Sequence, residues 1–531
     1  MTESRSAAGA AAEILRESLA DPWGAISPAV YDTAHTVRLA APLRPPGCTK
    51  RLLVDQHPDG SWGPEDAHES YRIVPTLAAT ASILATAGNS ADERVHGPSL
   101  RQAALQGLAY LVSSDALYEP ERLPDTVAVE TIVPAQLTDI AELLDATMPD
   151  AGERLRAGVA RARQRHEPWH RSLTRLRFAA ASSHALPPHI LHTVEVLGPE
   201  LAARVAGTDL NGGVACSPAA TAAVLGGAAE PPIAMQEYLA TLAQRHNGAQ
   251  PNLSPISTFE QVWIAAQLVR LGVPLPAGLR TTLVDTLESV LRRDHGAGMA
   301  PGFLIDSDIT SSVLGILHAL DRPADPVLLH AFAGNDAFFT YYPGERTLSP
   351  TVNAHVLEAL SVCGGPDAAG HTNKAADFLL ATQEEAGTWT DKWHASPYYT
   401  VSCCASALAR HDSPAARRAA DRARRWILET QRADGSWGWW APTPEETAYS
   451  VQTLLSGTDV PSRDAAAASS GVRYLLDHLE EPAGNLALPP LWHGKELFTP
   501  ARIVTATILG VVHMALTRLP GLALSRRWMG P

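Results

Sequence analysis

The sequence predicts an all-α protein built from two α/α-barrel domains. Three observations lead to this prediction: a helix-connecting motif that recurs along the chain, apolar residues at helical spacing, and very little of the alternation typical of β-strands. The chain has 531 residues, of which 45% are hydrophobic and 18% are charged. It is therefore long enough for two or three domains, each with its own core.

The recurring motif is the clearest of the three signals. It reads QHPDGSWG at 56–63, QRADGSWG at 431–438 and, in a degenerate form, QEEAGTW at 383–389. Each copy follows one helical segment and precedes another. Because Asp, Gly and Ser favour turns, we expect the Gln to cap a neighbouring helix while the Trp packs over the turn. The motif is therefore interpreted as a structural connector between paired helices.

Helical periodicity defines the elements between these connectors. The segments FEQVWIAAQLVRLGV (259–273), SSVLGILHAL (311–320), TVNAHVLEALSVCG (351–364) and YTVSCCASALARH (399–411) all have apolar faces with helical spacing. The stretch RRDHGAGMAPG interrupts this pattern with Gly and Pro, so we place the domain boundary near it. The expected divisions are an N-terminal helix in 1–25, one barrel in 26–285 and a second barrel in 286–531.

Composition narrows the class of protein. The formal net charge is −14 and no basic patch stands out, which argues against nucleic acid as a partner. Five cysteines without CxxC spacing fit reduced thiols. The N-terminus lacks the apolar core of a signal peptide, and ILGVVHMAL near the C-terminus is too short to span a bilayer. We therefore expect a soluble, cytoplasmic protein with no transmembrane segment.

The stretch FLIDSDITSSV at 303–313 places Asp306 and Asp308 inside an apolar run. A buried carboxylate is costly unless it lies in a cavity, binds a cation or holds a proton. Two carboxyl groups close together in a dry cavity share a proton unwillingly, so that one stays protonated at neutral pH. Which of these three applies to Asp306 and Asp308 decides the function of the protein.

Four further stretches combine with this motif: PWGAISPAVYDTAHTVRLA (22–40), GPEDAHESYRIVPTLAAT (63–80), DKWHASPYYT (391–400) and LWHGKELFTPARIV (491–504). Together they resemble the bacterial class II terpene cyclases, relatives of drimenyl and copalyl diphosphate synthases. The resemblance implies a γ barrel in 26–285, a β barrel in 286–531 with the N-terminal helix associated with it, and an active site between the barrels. The hallmark of that family is Asp-x-Asp-Asp-Thr, whose middle Asp protonates a terminal alkene.

On this sequence the resemblance makes Asp308 the general acid, Asp306 the residue that orients its proton and Thr310 a hydroxyl contact. Ile309 departs from the family pattern, which has a third Asp there. The resemblance also implies a Mg²⁺ site formed by Glu65, Asp66 and Glu69, since Mg²⁺ prefers carboxylate oxygens and water. The remaining candidates bind substrate, as cations for the diphosphate or as aromatic faces for a carbocation: Lys392, Lys495, Arg502, Arg346, Trp393, Tyr398 and Trp437.

The implied function is protonation-initiated cyclisation of a linear prenyl diphosphate to a bicyclic diphosphate, with the diphosphate retained. The chain has no DDxxD motif of the kind that ionises a diphosphate. The loss of the third Asp favours farnesyl diphosphate going to drimenyl diphosphate. The alternative is geranylgeranyl diphosphate going to a copalyl-type product, and a more remote alternative is an inactive barrel that serves as a binding module. We expect a monomer or homodimer.

Overall fold

The computed structural model describes residues 6–519, except 42, 88, 89, 183–185, 335, 336, 344, 346, 366, 458 and 480–487. The chain divides into two compact units. We name one the motif unit, because it contains Asp306 and Asp308; it comprises Met1–Ala25, Ile256–Leu491 and Thr499–Pro531. The companion unit comprises Ile26–Pro255 and Trp492–Phe498.

The motif unit begins with helix α1 (Ala7–Ala20), which is capped at its N-terminus by the Ser6 side chain. The companion unit contributes the next eleven helices among the described residues. These are α2 (Val30–Leu39), α3 (Cys48–Val54), α4 (Ile73–Ala87), α5 (Ser90–Ser113), α6 (Val129–Thr147), α7 (Glu153–Arg165), α8 (Glu167–Ser182), α9 (Pro188–Leu191), α10 (Pro199–Val205), α11 (Pro218–Gly227) and α12 (Ile233–Arg245). In its core, α2 packs against α4 and α11, and α4 packs against α6.

The rest of the motif unit is also helical. Its helices are α13 (Ser257–Arg270), α14 (Ala277–Asp294), α15 (Ser307–Ala319), α16 (Pro350–Cys363), α17 (Ala368–Thr382), α18 (Pro397–Arg410), α19 (Pro414–Glu429), α20 (Pro444–Leu455), α21 (Ser462–Leu479) and α22 (Ala501–Arg518). Six of them form a closed inner ring, in which consecutive members pack in the order α13, α15, α16, α18, α20, α22 and back to α13. This ring is the inner layer of an α/α-barrel, as the sequence predicts.

Local sequence explains where several ring helices begin. Helices α16, α18 and α20 each start with a Ser or Thr followed by Pro, and the hydroxyl accepts a hydrogen bond from a backbone N–H of the first turn. A hydroxyl N-cap satisfies a backbone donor that the helix itself leaves unpaired, and Pro at the first position has the dihedral angle of a helix. The first turns of these helices are therefore fixed by short-range interactions.

The repeated motif connects helices, as its composition suggests, and all three copies use the same set of hydrogen bonds. The side-chain amide of Gln431 donates to the carbonyl of Gly435, at 3.0 Å, and to the carbonyl of Ala467 in α21, at 2.9 Å. The indole of Trp437 donates to the carbonyl of Ile427 in α19. The copies that begin at 56 and 383 form the same three bonds with their own neighbours. Each connector thus ties two successive outer helices together.

Two-residue antiparallel strands provide the extended structure among the described residues. In the companion unit, β1 (Pro28–Ala29) pairs with β2 (Gln250–Pro251), and β5 (Trp492–His493) pairs with β6 (Leu497–Phe498). In the motif unit, β3 (Ala297–Gly298) pairs with β4 (Ile305–Asp306). Short 3₁₀ helices span Glu69–Arg72, Asp115–Tyr118, Pro120–Arg122, Val194–Leu197 and Pro326–Phe332.

The division between the units differs from the expected boundary at 285. It lies between Pro255 and Ile256, because α13 closes the inner ring of the motif unit through contacts with α15 and α22. The Gly-rich stretch that suggested a boundary forms strand β3 inside the motif unit instead. A single sequence shows where a helix is interrupted, but it does not show which core a helix joins.

Helix α22 is longer than the apolar stretch ILGVVHMAL suggests. It has 18 residues and, by length and composition, is the one candidate membrane-spanning helix in the described part of the chain. However, 61% of it is buried inside the protein, where it packs against α1, α13 and α20. It is a core helix of the motif unit.

Candidate active site

The two acidic residues lie where strand β4 ends and helix α15 begins. Asp306 is the N-cap of α15, and its Oδ1 accepts a hydrogen bond of 2.7 Å from the backbone N–H of Ile309. Asp308 follows in the first turn of the helix. Both carboxyl groups are buried, with exposed fractions of 1% and 6%. The run of acidic and apolar residues therefore forms a helix N-terminus that is closed off from solvent.

Asp308 is held by a residue distant in sequence. The Nδ1 atom of His355, on α16, lies 2.6 Å from Asp308 Oδ1. Burial opposes a charge on His355, but the adjacent Asp308 carboxylate outweighs it and holds the pKa of the imidazole well above its usual range. While Asp308 is a carboxylate, His355 is therefore favoured as an imidazolium, and the two form a charge-assisted hydrogen bond.

Asp306 is in a different electrostatic state. Burial raises the pKa of this carboxyl well above its usual range, and repulsion by Asp308 raises it further. Its hydrogen bonds with Ile309 and with the Tyr341 side chain only partly offset this shift. Asp306 is thus shifted toward its protonated form, as expected for one of two adjacent carboxyl groups in a dry site.

Thr310 has a different role from the one expected. Its Oγ1 accepts a hydrogen bond of 2.9 Å from the backbone N–H of Ala297 and donates back to the carbonyl of that residue. Through these bonds to Ala297 it fixes strand β3 to the first turn of α15. Thr310 supports the hairpin that positions Asp306.

Aromatic rings surround the acidic pair within the motif unit. Trp263, on α13, meets the His355 ring edge to face at 5.7 Å, and its indole N–H donates to the Tyr399 hydroxyl at 3.2 Å. The Trp393 ring lies 4.6 Å from the Tyr341 ring. Because the Tyr341 side chain hydrogen-bonds with Asp306, a single side chain separates Trp393 from that carboxyl. An aromatic face in this position can stabilise positive charge.

The other two aromatic candidates lie elsewhere. Tyr398 is buried against Trp426, with ring centroids 4.6 Å apart. Trp437 belongs to the helix connector described above and is fully buried there. The described contacts of both rings are with neighbouring helices, and substrate binding by Tyr398 and Trp437 stays a prediction.

Most of the candidate cations form ion pairs with carboxylates. Arg502 binds Asp21 and Glu260, both at 3.0 Å, and so joins the end of α1 to α13 and α22. Lys392 pairs with Glu345, donates to Thr347 at 3.0 Å and lies over the Trp393 ring at 4.9 Å. Lys392 thus lies beside the Tyr341 and Trp393 rings, whereas Arg502 is a structural tie. Arg346 lies outside the described residues.

Lys495 has a different environment from the one expected for a diphosphate-binding residue. Its side chain is fully buried in the companion unit, where Nζ lies 2.9 Å from Glu195 Oε1 and 3.5 Å from Asp32 Oδ1. It also donates to the Ser217 hydroxyl at 2.6 Å. Burial raises the pKa of Asp32 to about 7 despite this cation. Lys495 therefore neutralises buried carboxylates and is not exposed to bind a diphosphate.

The expected Mg²⁺ ligands do not form a site. The Glu65 carboxylate is 68% exposed and binds the His57 ring at 2.9 Å, and Asp66 is exposed as well. Within the described ranges, no group of three or more His, Cys, Asp or Glu side chains is arranged to hold a metal ion. The structure therefore does not show the Mg²⁺ site that the resemblance implied for Glu65, Asp66 and Glu69.

The sequence did not predict two residues of this site, His355 and Trp263. Both lie on segments that sequence alone identifies only as amphipathic helices. The available signal is a polar or aromatic side chain within an apolar helical face: His355 within TVNAHVLEAL and Trp263 within FEQVWIAAQ. Such residues are common in ordinary cores, so this signal gains meaning only when the fold brings His355 to Asp308.

The motif unit thus combines an α/α-barrel with a buried acid pair at a helix N-terminus. Residues 345–487 match the family model of the squalene-hopene cyclase C-terminal domain. An ent-copalyl diphosphate synthase from Streptomyces sp. (strain KO-3988) is 36% identical over 95% of both chains. A labda-7,13-dienyl diphosphate synthase from Streptomyces clavuligerus is 37% identical over 97% of this chain and 94% of that one.

A solved structure agrees with these relatives. The ent-copalyl diphosphate synthase from Streptomyces platensis superposes with a TM-score of 0.86 at 37% identity, over 96% of this chain and 99% of that chain. The chain belongs to the bacterial class II terpene cyclases, and it is an enzyme of that class. The inactive binding module is therefore set aside.

Proposed function

We propose that this enzyme cyclises geranylgeranyl diphosphate, a C20 substrate, to a bicyclic copalyl-type (labdane) diphosphate. Relatives that are 36% to 37% identical to this chain are named ent-copalyl and labda-7,13-dienyl diphosphate synthases. These names favour the C20 alternative over the expected preference for farnesyl diphosphate. The observation that carries the chemistry is the 2.6 Å contact between Asp308 Oδ1 and His355 Nδ1.

Asp308 delivers the proton that starts the reaction. The π electrons of the terminal alkene form a new C–H bond with that proton and leave a tertiary cation, which closes two rings before a base removes a proton. Asp308 must therefore be a carboxylic acid when the substrate binds. As its proton leaves, it becomes the carboxylate that pairs with the His355 imidazolium, and this pairing stabilises the new charge. Because Asp306 stays neutral, it adds no second negative charge that would hold the proton back.

Neighbouring side chains have supporting roles in this proposal. The faces of Trp263 and Trp393 stabilise positive charge without attacking it, as aromatic rings do. Lys392 is the candidate cation for the diphosphate within the motif unit. The diphosphate itself takes no part in the bond changes and is retained in the product. Cytoplasmic location, and a monomer or homodimer, remain predictions.

A competition assay tests the proposal. Equimolar geranylgeranyl and farnesyl diphosphates are incubated with the enzyme, and the products are analysed after dephosphorylation. We expect the bicyclic C20 alcohol to predominate, with kcat/KM favouring the longer chain. An excess of the drimenyl product would show instead that the enzyme prefers farnesyl diphosphate, the C15 substrate.

The acid is tested separately with Asp308→Asn, which removes only the transferable proton. We expect loss of cyclisation with both substrates and unchanged circular dichroism. Asp306→Asn, which keeps the N-cap oxygen, should impair turnover less completely. Near-normal turnover by Asp308→Asn would overturn the assignment of the acid while leaving the family membership unaffected.

A further inference from the structure

Helices α7 and α8 of the companion unit carry a local excess of positive charge that the overall charge of the chain conceals. Together they contain eight arginines and two glutamates, a formal charge of +6, in a chain whose formal net charge is −14. We name their outer surface the arginine face. Six of its arginines are exposed: Arg154, Arg161, Arg163, Arg165, Arg171 and Arg175.

The outer side of α8 combines two of these cations with an aromatic ring. Arg171, Arg175 and Phe178 follow one another at intervals of four and three residues, so they lie on one side of the helix. Phe178 is 74% exposed. Leu173 and Ala180 are buried, and α8 packs against α6. The apolar ring of Phe178 is therefore presented to solvent between arginines.

A second observation at this surface points to a ligand. A cleft of about 310 Å³ lies at the junction of α7 and α8, and we name it the junction cleft. It opens to solvent, because Arg163, Gln164 and Glu167 line it and are exposed. Small-molecule sites typically have volumes of about 300 to 1,000 Å³. The junction cleft therefore has room for a small polar group.

His166 offers an unused acceptor in the junction cleft, which it lines although its exposed fraction is only 1%. Its Nε2 donates to the Leu117 carbonyl at 2.8 Å. Burial lowers the pKa of His166 below its usual range, so the ring is neutral and Nδ1 keeps a lone pair. Among the described residues, no group donates to this buried Nδ1. Because an unsatisfied buried acceptor is costly, the site suits a ligand with a hydroxyl donor.

The charges around the junction cleft suit an anion. The guanidinium of Arg163 can bind a phosphate oxygen through charge-assisted hydrogen bonds. The Glu167 carboxylate also lines the cleft, but it lies 3.8 Å from Arg171, which offsets its charge. A phosphodiester that carries a free hydroxyl matches both Arg163 and His166. The headgroup of phosphatidylglycerol has this chemistry.

We propose that the arginine face attaches the enzyme to an anionic phospholipid membrane, with Phe178 in the interfacial layer and a glycerol-phosphate headgroup in the junction cleft. Surface cations bind anionic lipid through charge, and an apolar group adds to this attraction. The choice of a membrane rests on the prenyl diphosphate substrate of the proposed function, because its C15 or C20 chain is apolar and partitions into lipid. At the membrane surface the enzyme meets this substrate.

Vesicle sedimentation measures the attachment. The full-length enzyme is mixed with vesicles of phosphatidylcholine, alone or with about 30% phosphatidylglycerol, and we expect binding only to the anionic vesicles and its loss at high ionic strength. Arg171→Gln combined with Arg175→Gln should lower the bound fraction about fivefold or more. The matched control is Arg418→Gln combined with Arg425→Gln, which removes the same charge from exposed positions on α19 of the motif unit. This control should bind like the unsubstituted enzyme.

Two further comparisons test the ring and the headgroup. Phe178→Ser should weaken vesicle binding about threefold, because it removes an apolar contact and no charge. Phosphatidylmethanol has the same charge as phosphatidylglycerol but no headgroup hydroxyl. Vesicles that contain it should also bind about threefold more weakly, since nothing then donates to His166. Equal binding to the two anionic lipids would overturn the headgroup site in the junction cleft.

The membrane itself has separate tests. Failure to bind anionic vesicles, or an equal loss of binding in the α19 control, would overturn the attachment. Preferential binding of a single-stranded RNA oligonucleotide over the vesicles would also overturn it, because that result would assign the arginine face to nucleic acid. These outcomes leave the proposed function unaffected, since product analysis with dissolved substrate measures it independently.

Discussion

Replacing His355 by asparagine or by phenylalanine separates the charge of this residue from its hydrogen bond. An asparagine amide can still donate near the position of Nδ1, but it carries no charge, whereas a phenylalanine ring fills the space and donates nothing. Both variants keep Asp308 in place. They therefore show how much of the acid strength depends on the imidazolium 2.6 Å away.

The expected size follows from hydrogen-bond energies. A hydrogen bond to a charged group contributes about 1.5 to 3 kcal/mol and a neutral one about 0.5 to 1.5 kcal/mol. Loss of the charge alone should therefore raise the barrier to proton transfer by about 1 to 2 kcal/mol. At about 1.36 kcal/mol per factor of ten, kcat falls roughly five- to thirtyfold in His355→Asn. The loss should be larger in His355→Phe, which leaves the buried Asp308 without its donor.

The assay is single-turnover cyclisation of geranylgeranyl diphosphate across a pH series, with His513→Asn as a control histidine on α22. The imidazolium is present below the raised pKa of His355 and is lost as pH rises through it. The unsubstituted enzyme should therefore lose rate on that alkaline limb, and His355→Asn should lack the limb. A His355→Asn rate within about twofold of the unsubstituted enzyme at neutral pH would refute the reasoning.

Two further predictions concern the corrected candidates. Alanine at both Glu65 and Asp66 should leave the Mg²⁺ titration of kcat/KM unchanged within about twofold, since Glu65 is exposed and bound to a histidine; a raised Mg²⁺ requirement would restore the metal site. Lys495→Met should lower the free energy of unfolding by about 3 to 5 kcal/mol, because it leaves buried carboxylates without their cation. Denaturant unfolding measures this, with the exposed Lys50→Met as control, and a loss below about 1 kcal/mol would contradict the structural role.

Local sequence determined the elements of this fold. Ser-Pro and Thr-Pro pairs mark helix starts, the repeated Gln and Trp motif ties helices through bonds to nearby residues, and apolar spacing marks the inner faces. The acidic pair is local as well, since Asp306 and Asp308 share the end of one strand and the start of one helix. These features depend on neighbours within a few residues, so one sequence contains the information needed to predict them.

The tertiary structure decided which of the distant groups meet. His355 reaches Asp308 across 47 positions, and Lys495 reaches Glu195 across 300. Whether a lysine binds a ligand or neutralises a buried carboxylate depends on the charge that the fold places beside it, and residue type alone does not specify this. For the same reason the sequence predicted an acid but not its imidazolium partner, and a barrel but not the helix that closes its ring.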